Sequence, residues 1–392
     1  MKRVLCLLLF LSVFLSGCGM NTVKKAFSET EGSTFGIWIS FSEMDSILNS
    51  EKGIEEEVSK LIENLNSLKI KNVYLHIRSH ADSLFESEYY PKRESVKKYD
   101  FDVFEYFIKE LHKNKIKVHA WINPYRVSSS TEDINLLDQN SPAYKWLTDQ
   151  NTENDINVSF SNGIYFNPAS NEARSLIIKG VREVVEKYDI DGISFDDYFY
   201  PTTQVDFDSE SYASYLETAE NPLSLEDWRR VNVNSLISGV SAAIKAYDRD
   251  IVFSVSPAAD IDKNYSSYYA DVRYWVKSGF VDEIIPQLYF GFDYPDEKFR
   301  FKNLVKEWEN VISDADNVKL SVGLAAYKIS TLASPDNEEW SSNDDIIARQ
   351  AEYCIKNSNI SGCVLFSYSA TFSENGANTK ERNNLKRVIE KY

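Results

Sequence analysis

Four histidines and four cysteines among 392 residues leave little from which to build a metal site. The histidines are scattered, and HIRSH, His76 to His80, reads as a strand running into its loop rather than as a ligand cluster. The cysteines lack the spacing of a zinc site. Cys6 and Cys18 lie in the first twenty residues, which leaves Cys354 on an expected helix and Cys363 on the next strand. A disulfide between them and two buried free thiols are both compatible with that placement. Neither a metal nor an organic cofactor is expected. Basic blocks are missing too. With 43 Lys and Arg against 60 Asp and Glu, the formal charge is -17 and is spread along the chain. Such a field repels nucleic acid and says nothing about fold.

Long apolar runs are confined to the start. Residues 4 to 15 are apolar but for Ser12, follow Lys2 and Arg3, and precede small residues. That is the pattern of a secretory signal, and the run is too short for a stable membrane span. Leu15-Ser16-Gly17-Cys18 also resembles a bacterial lipobox, in which the cysteine takes a lipid and becomes the new N-terminus. The expected organisation is a signal peptide over residues 1–17, a polar tether over 18–33 beginning at a lipidated Cys18, and one domain over 34–392. The protein is then exported and held by lipid at the outer face of the cytoplasmic membrane, or at the outer membrane if its source has one.

Short strand-like runs are plentiful. FGIWIS (35–40), NVYLHIR (72–78), KVHAWIN (117–123), DGISFD (191–196), IVFSVS (251–256), EIIPQLYF (283–290), KLSVGLAAY (319–327) and GCVLFSYS (362–369) are β-branched or aromatic and bounded by turn residues. An amphipathic helical pattern follows each. Eight strand–helix repeats imply an α/β fold of the (β/α)8 TIM-barrel type, with a doubly wound sheet as the competitor. Alternation favours closure. One parity of the strands is aliphatic, as in Ile37, Ile39, Val73, Leu75, Ile193 and Phe195, and should face the helices. The other carries Trp38, His76, Trp121, Asn123, Ser194 and Asp196, and should fill the barrel and its mouth. Two connections are long, from residue 124 to about 171 after the third strand and from 198 to about 225 after the fourth. Both lie on the C-terminal face, where barrel enzymes work.

DGISFDDYFYP therefore matters. If Ser194 points inward so does Asp196, at the last position of the fourth strand, while Asp197 has the opposite parity in a chain already leaving the sheet. Glycoside hydrolysis ordinarily needs two carboxyl groups, one donating a proton to the leaving oxygen while the other attacks or activates water. Asp196 and Asp197 are the catalytic candidates, and Glu43, Asp260 and Asp293 follow other strands. At 14% the aromatic content is high, and flat rings are what sugars stack on. Trp38, Tyr125, Tyr198, Tyr200, Tyr289, Tyr327 and Tyr368 offer such faces near strand ends, and Asn123, Asn167 and Gln287 can bond hydroxyls or acetamides. Arg78, Arg126 and Lys328 add cations there, either as partners for the protein's own acids or as receptors for a substrate carboxylate.

FGIWIS, AWINPYR, YFNPASNEAR, DGISFDDYFYP, DWRRVNVNSLI, FSVSPAADI, IIPQLYF, GLAAYK and GCVLFSYS together resemble the glycosyl hydrolase-like 10 family. The resemblance implies a secreted TIM barrel that hydrolyses glycans, with bacterial peptidoglycan strands, especially those stripped of peptide, as substrate. Carried over by position, the paired acids fall on Asp196 and Asp197. The substrate-side positions fall on Arg78, Asn123, Tyr125, Arg126, Asn167, Tyr198, Gln287, Tyr289 and Tyr327. Rival classes are a lipid-anchored solute-binding protein with two lobes, and a barrel that binds glycan without cutting it.

Overall fold

The computed structural model describes residues 34–313, 315, 317–329 and 337–392. The expected signal, the tether and the lipidation of Cys18 lie outside the described residues. Eight parallel strands close into a barrel: β1 (Thr34–Ile39), β2 (Asn72–Arg78), β3 (Lys117–Ile122), β4 (Gly192–Phe195), β5 (Val252–Val255), β6 (Glu283–Ile284), β7 (Lys319–Leu324) and β8 (Gly362–Leu365). Their order around the ring follows the chain, with β8 returning to pair with β1, so the doubly wound alternative falls. All eight sequence-read strands are present. The sixth is the shortest because Pro286 has no N–H for the ladder. Single bridges from Gln287 to Ala258 and Gly323 carry the ring past it.

The two parities separate as expected. Ile37, Ile39, Val73, Leu75, Ile193, Phe195, Phe253 and Val255 point outward into one continuous core beneath the helices. Each such side chain withdrawn from water contributes roughly 1.5–3 kcal/mol. The helix Phe301–Ile312 shows the matching stripe, burying Phe301, Leu304, Val305, Trp308 and Val311 at helical spacing. Inside the ring, Trp38, Tyr74, Trp121, Ile285 and Val364 form a second cluster, with Phe366 packed on it. The barrel is thus plugged by aromatics below its mouth. Gly192 makes room at the base: a β-carbon there would sit 2.3 Å from Nδ1 of His119.

The alternation breaks once. Between His76 and Arg78 the register of β2 against β3 shifts by a bulge, and a bulge re-aims the following side chain. Arg78 is turned outward, its guanidinium 4.4 Å over the Tyr90 ring and against Gly180 of the helix Asn171–Lys187.

The two long connections wall the mouth. The first folds into a three-stranded antiparallel sheet from Arg126–Ser128, Val158–Phe160 and Ile164–Phe166, the last strand lying centrally. The second carries the helix Ser209–Thr218. Cys354 and Cys363 are both buried free thiols.

Candidate active site

β4 ends at Phe195, and the next residue, Asp196, keeps the inward parity of Ser194. The residue is 4% exposed. Oδ2 accepts from Nε1 of Trp121 at 3.1 Å and from Nδ2 of Asn123 at 3.3 Å, both delivered by the neighbouring strand β3. Burial pushes the Asp196 carboxyl up to about 7; the charge of Asp197 adds to this, while Arg126 and the indole N–H of Trp121 oppose it. Asp197 lies on the other side of the same strand end. Its Oδ1 accepts from Nε2 of Gln287 at 3.1 Å, and the same amide donates to the Ser256 carbonyl. Burial raises Asp197 as well, opposed first by the Gln287 bond. Burial thus favours the protonated form of both acids, most strongly at Asp196, and an acid held protonated toward neutrality is what proton donation requires.

Around the pair, Arg126 lies with its guanidinium 5.2 Å from the Tyr198 ring, held by donation from Nε to the Ser79 carbonyl, while the Asn123 carboxamide oxygen accepts from its backbone N–H. Tyr198 stands in the mouth, 55% exposed. Tyr289 stacks on Phe366 at 5.8 Å, and Tyr327 meets both rings edge-on. Trp38 lies deeper, in the aromatic floor. The structure thus gathers Asp196, Asp197, Asn123, Arg126, Tyr198, Gln287, Tyr289 and Tyr327 at one mouth over Trp38.

Other expected positions serve the scaffold instead. Arg78 is under a helix because of the bulge. Tyr125 is fully buried in the outer core, where burial drives its hydroxyl upward from its ordinary pKa. Asn167 is also buried; it donates to the Ile156 carbonyl and to Ser211 and accepts from the Ala169 N–H, so its polar groups brace the two long loops. Tyr200 donates to Asp208, the partner of Arg229 in a fully buried ion pair. Asp260 caps the helix Ile261–Ser267 and pairs with Lys298. Asp293 is exposed on a turn whose N–H groups Glu339 accepts. Lys328 is buried, its ammonium over Phe290 and Trp340. Tyr368 accepts from Asn64, which lies on the helix Ile54–Ser67, and its ring meets Phe372 at a 45° tilt. Glu43 completes a capping box and accepts from Ser367 and Ser369, tying the end of β1 to that of β8.

Two contributors stand outside the site residues expected from the sequence. His76 stacks on Trp121 with centroids 3.6 Å apart and planes 12° from parallel, and neither of its ring nitrogens has a partner. Burial, helped by Arg93 and Arg126, holds its pKa well below the usual value, so it is a neutral slab fixing the indole that donates to Asp196. Phe366 joins Trp38, Trp121, Tyr289 and Tyr327. Both have inward parity, the one signal that marked them.

Residues 34–342 match the family model described as glycosyl hydrolase-like 10. The chain belongs to that family. It is 32% identical over 340 residues to the glycosyl hydrolase YngK of Bacillus subtilis (strain 168), covering 78% of this chain and 63% of that one. To the glycosyl hydrolase DigH of Escherichia coli (strain K12) it is 30% identical over 335 residues, covering 78% of this chain and 73% of the relative. The chain therefore spans just under two thirds of the Bacillus protein's length. Among solved structures, the glycoside hydrolase domain of PgaB (BpsB) from Bordetella bronchiseptica superposes with a TM-score of 0.59 at 15% identity, over 91% of this chain and 98% of that domain. A GH18 chitinase from Cycas revoluta gives 0.52 at 11% identity, over 92% and 99%. At such identities the likeness speaks for the barrel alone.

Proposed function

We propose that the protein is an exported, lipid-anchored glycoside hydrolase that cuts the glycan strands of bacterial peptidoglycan. The observation that carries the hydrolase reading is the Asp196 carboxyl, raised to about 7 by burial at the rim of a closed barrel and flanked by a second acid. In this scheme protonated Asp196 donates to the glycosidic oxygen as the bond breaks, and its carboxylate then accepts the proton of the incoming water. Asp197 supplies the negative charge that stabilises the cationic sugar. Asn123 and Gln287 orient the two acids, and Tyr198, Tyr289 and Tyr327 offer ring faces to the sugars. Family membership and the two relatives called glycosyl hydrolases support the reaction class. The lipobox-like run ending at Cys18 supports the anchor.

Peptide-free wall glycan bears a lactyl carboxylate on alternate sugars. Arg126, the cation beside the acids, gives such an anion a charge-assisted partner. The test is release of reducing ends from intact and amidase-treated wall. Faster release from the treated wall is expected, with Arg126→Gln erasing the preference; equal rates on both would refute recognition of the bared carboxylate. Absence of release by the wild-type protein from any wall glycan would leave a binding protein and sink the hydrolase.

A further inference from the structure

A pair of carboxylates that inverts or retains by direct attack must flank the sugar, one above and one below the scissile bond, separated by roughly 5–5.5 Å or 6.5–9.5 Å. Here both acids of the site come from consecutive residues of one strand end. Asp196 leans toward β3 and Asp197 toward Gln287 after β6, so both occupy the β4 wall of the mouth. In an eight-stranded ring β8 stands opposite β4, and that wall is aromatic. Phe366 follows β8, Trp38 belongs to β1 and Tyr327 follows β7. Among the described residues, several carboxylates that follow strand ends are already engaged. Glu43 accepts from Ser40, Ser367 and Ser369, Asp82 pairs with Arg93, Asp260 caps its helix, and Glu339 accepts two backbone N–H groups. Asp293 is exposed on the turn that Glu339 pins.

From this one-sided placement we infer that the nucleophile is the substrate's own 2-acetamido group, and hence that the sugar on the non-reducing side of the cut must be an N-acetylated 2-amino sugar. This inference rests on the hydrolase reading above. In the first step the acetamide carbonyl oxygen bonds to the anomeric carbon while the glycosidic bond breaks. The electron pair leaves on the glycosidic oxygen, which takes the proton of Asp196, and the acetamide N–H passes its proton to the Asp197 carboxylate, leaving a neutral oxazoline. In the second step water attacks the anomeric carbon and gives its proton to Asp196. The carbon–oxygen bond of the oxazoline breaks, the nitrogen recovers its proton from Asp197, and the acetamide is restored. Two displacements at one carbon retain its configuration. The aromatic wall suits this chemistry, since a ring face shields the cationic sugar without competing for its anomeric carbon.

The test uses wild-type protein and a graded series of one wall-type oligosaccharide carrying N-acetyl, N-fluoroacetyl or N-trifluoroacetyl groups. Proton NMR taken during the first turnovers reads the anomeric form released. Turnover is expected to fall on the order of a hundred-fold from the acetyl to the trifluoroacetyl sugar, because an effective intramolecular nucleophile is being withdrawn. The freed reducing end should keep the configuration of the bond that was cut. Asp197→Asn should lose kcat with KM nearly unchanged, and it should melt no lower than the wild type, since burial already disfavours the charged carboxyl. Release of the opposite anomer, or a rate indifferent to fluorination, would overturn the neighbouring-group step while leaving a glycosidase in place. Failure to cut any N-acetylated glycan would overturn both.

Discussion

Asp196 holds its carboxyl among an indole N–H, a carboxamide N–H and an arginine, yet burial outweighs all three and carries its pKa to about 7. The consequence for stability has a definite sign. Between about pH 4, where a free aspartate titrates, and pH 7, the folded chain binds more protons at this site than the unfolded chain, so stability falls as pH rises through that window. Asp196→Asn removes the burden. It is expected to abolish reducing-end release and to stabilise the protein by about 1–3 kcal/mol at pH 8, with no gain at pH 4. Thermal melts at the two pH values check it; equal shifts at both would show that the carboxyl is not held protonated. Activity that needs the protonated acid should decline above about pH 7. Trp121→Phe deletes a donor that favours the charged form, so the alkaline limb of the pH–rate profile should move upward by about half a unit to one unit. A limb that stays in place would take the indole out of the tuning. At this scale the sequence was legible through parity alone. Asp196 and Trp121 could be placed because alternation is unbroken in β3 and β4. Arg78 could not, because no residue type in NVYLHIR announces the bulge that turns it away.

The loop after β4 carries Asp197, Tyr198 and Tyr200, and its shape depends on a feature with no local sequence signature. Arg229, on the helix Leu225–Tyr247, pairs with Asp208 where neither side chain has any exposure, and it also donates to Tyr269 and to the carbonyls of Thr203 and Gln204. Tyr200 donates to the same aspartate. This explains why Tyr200 is absent from the mouth although its ring type suits a sugar. Arg229→Met leaves Asp208 charged and buried, and should cost about 3–5 kcal/mol of stability, with Asp208→Leu in the same chain recovering part of it. Chemical denaturation of the single and double variants measures this. Additive losses in the double variant would show that the two side chains do not act as a pair. Strand–helix order was readable because each element carries its own period, and the competing sheet topology was closed out only by the pairing of β8 with β1. Asn167, Tyr125 and Asp260 were misplaced for one shared reason. A polar or aromatic residue beside a strand end can brace the loop as readily as face the cleft, and only its partners distinguish the two.

Over the whole molecule, acids outnumber bases enough to give a formal charge of -17, while the mouth holds Arg126 beside its carboxyls. A peptide-free wall glycan is itself an anion. Far from the site it meets a repelling field, and close to it a guanidinium. These two influences respond differently to salt. Raising ionic strength from about 0.01 to 0.15 M shortens the screening length from about 30 Å to 8 Å, which removes the distant repulsion before it weakens a partly desolvated contact. The value of kcat/KM on amidase-treated wall glycan should therefore rise across that range, whereas that on an uncharged oligomer of N-acetylglucosamine should stay level. Arg126→Gln should keep the upward slope on the anionic substrate while lowering kcat/KM at every salt concentration, since it removes the near contact and leaves the far field. Should kcat/KM of the wild-type protein on the anionic glycan fall with added salt, attraction at the mouth would dominate the approach, and the acidic surface would have no part in it.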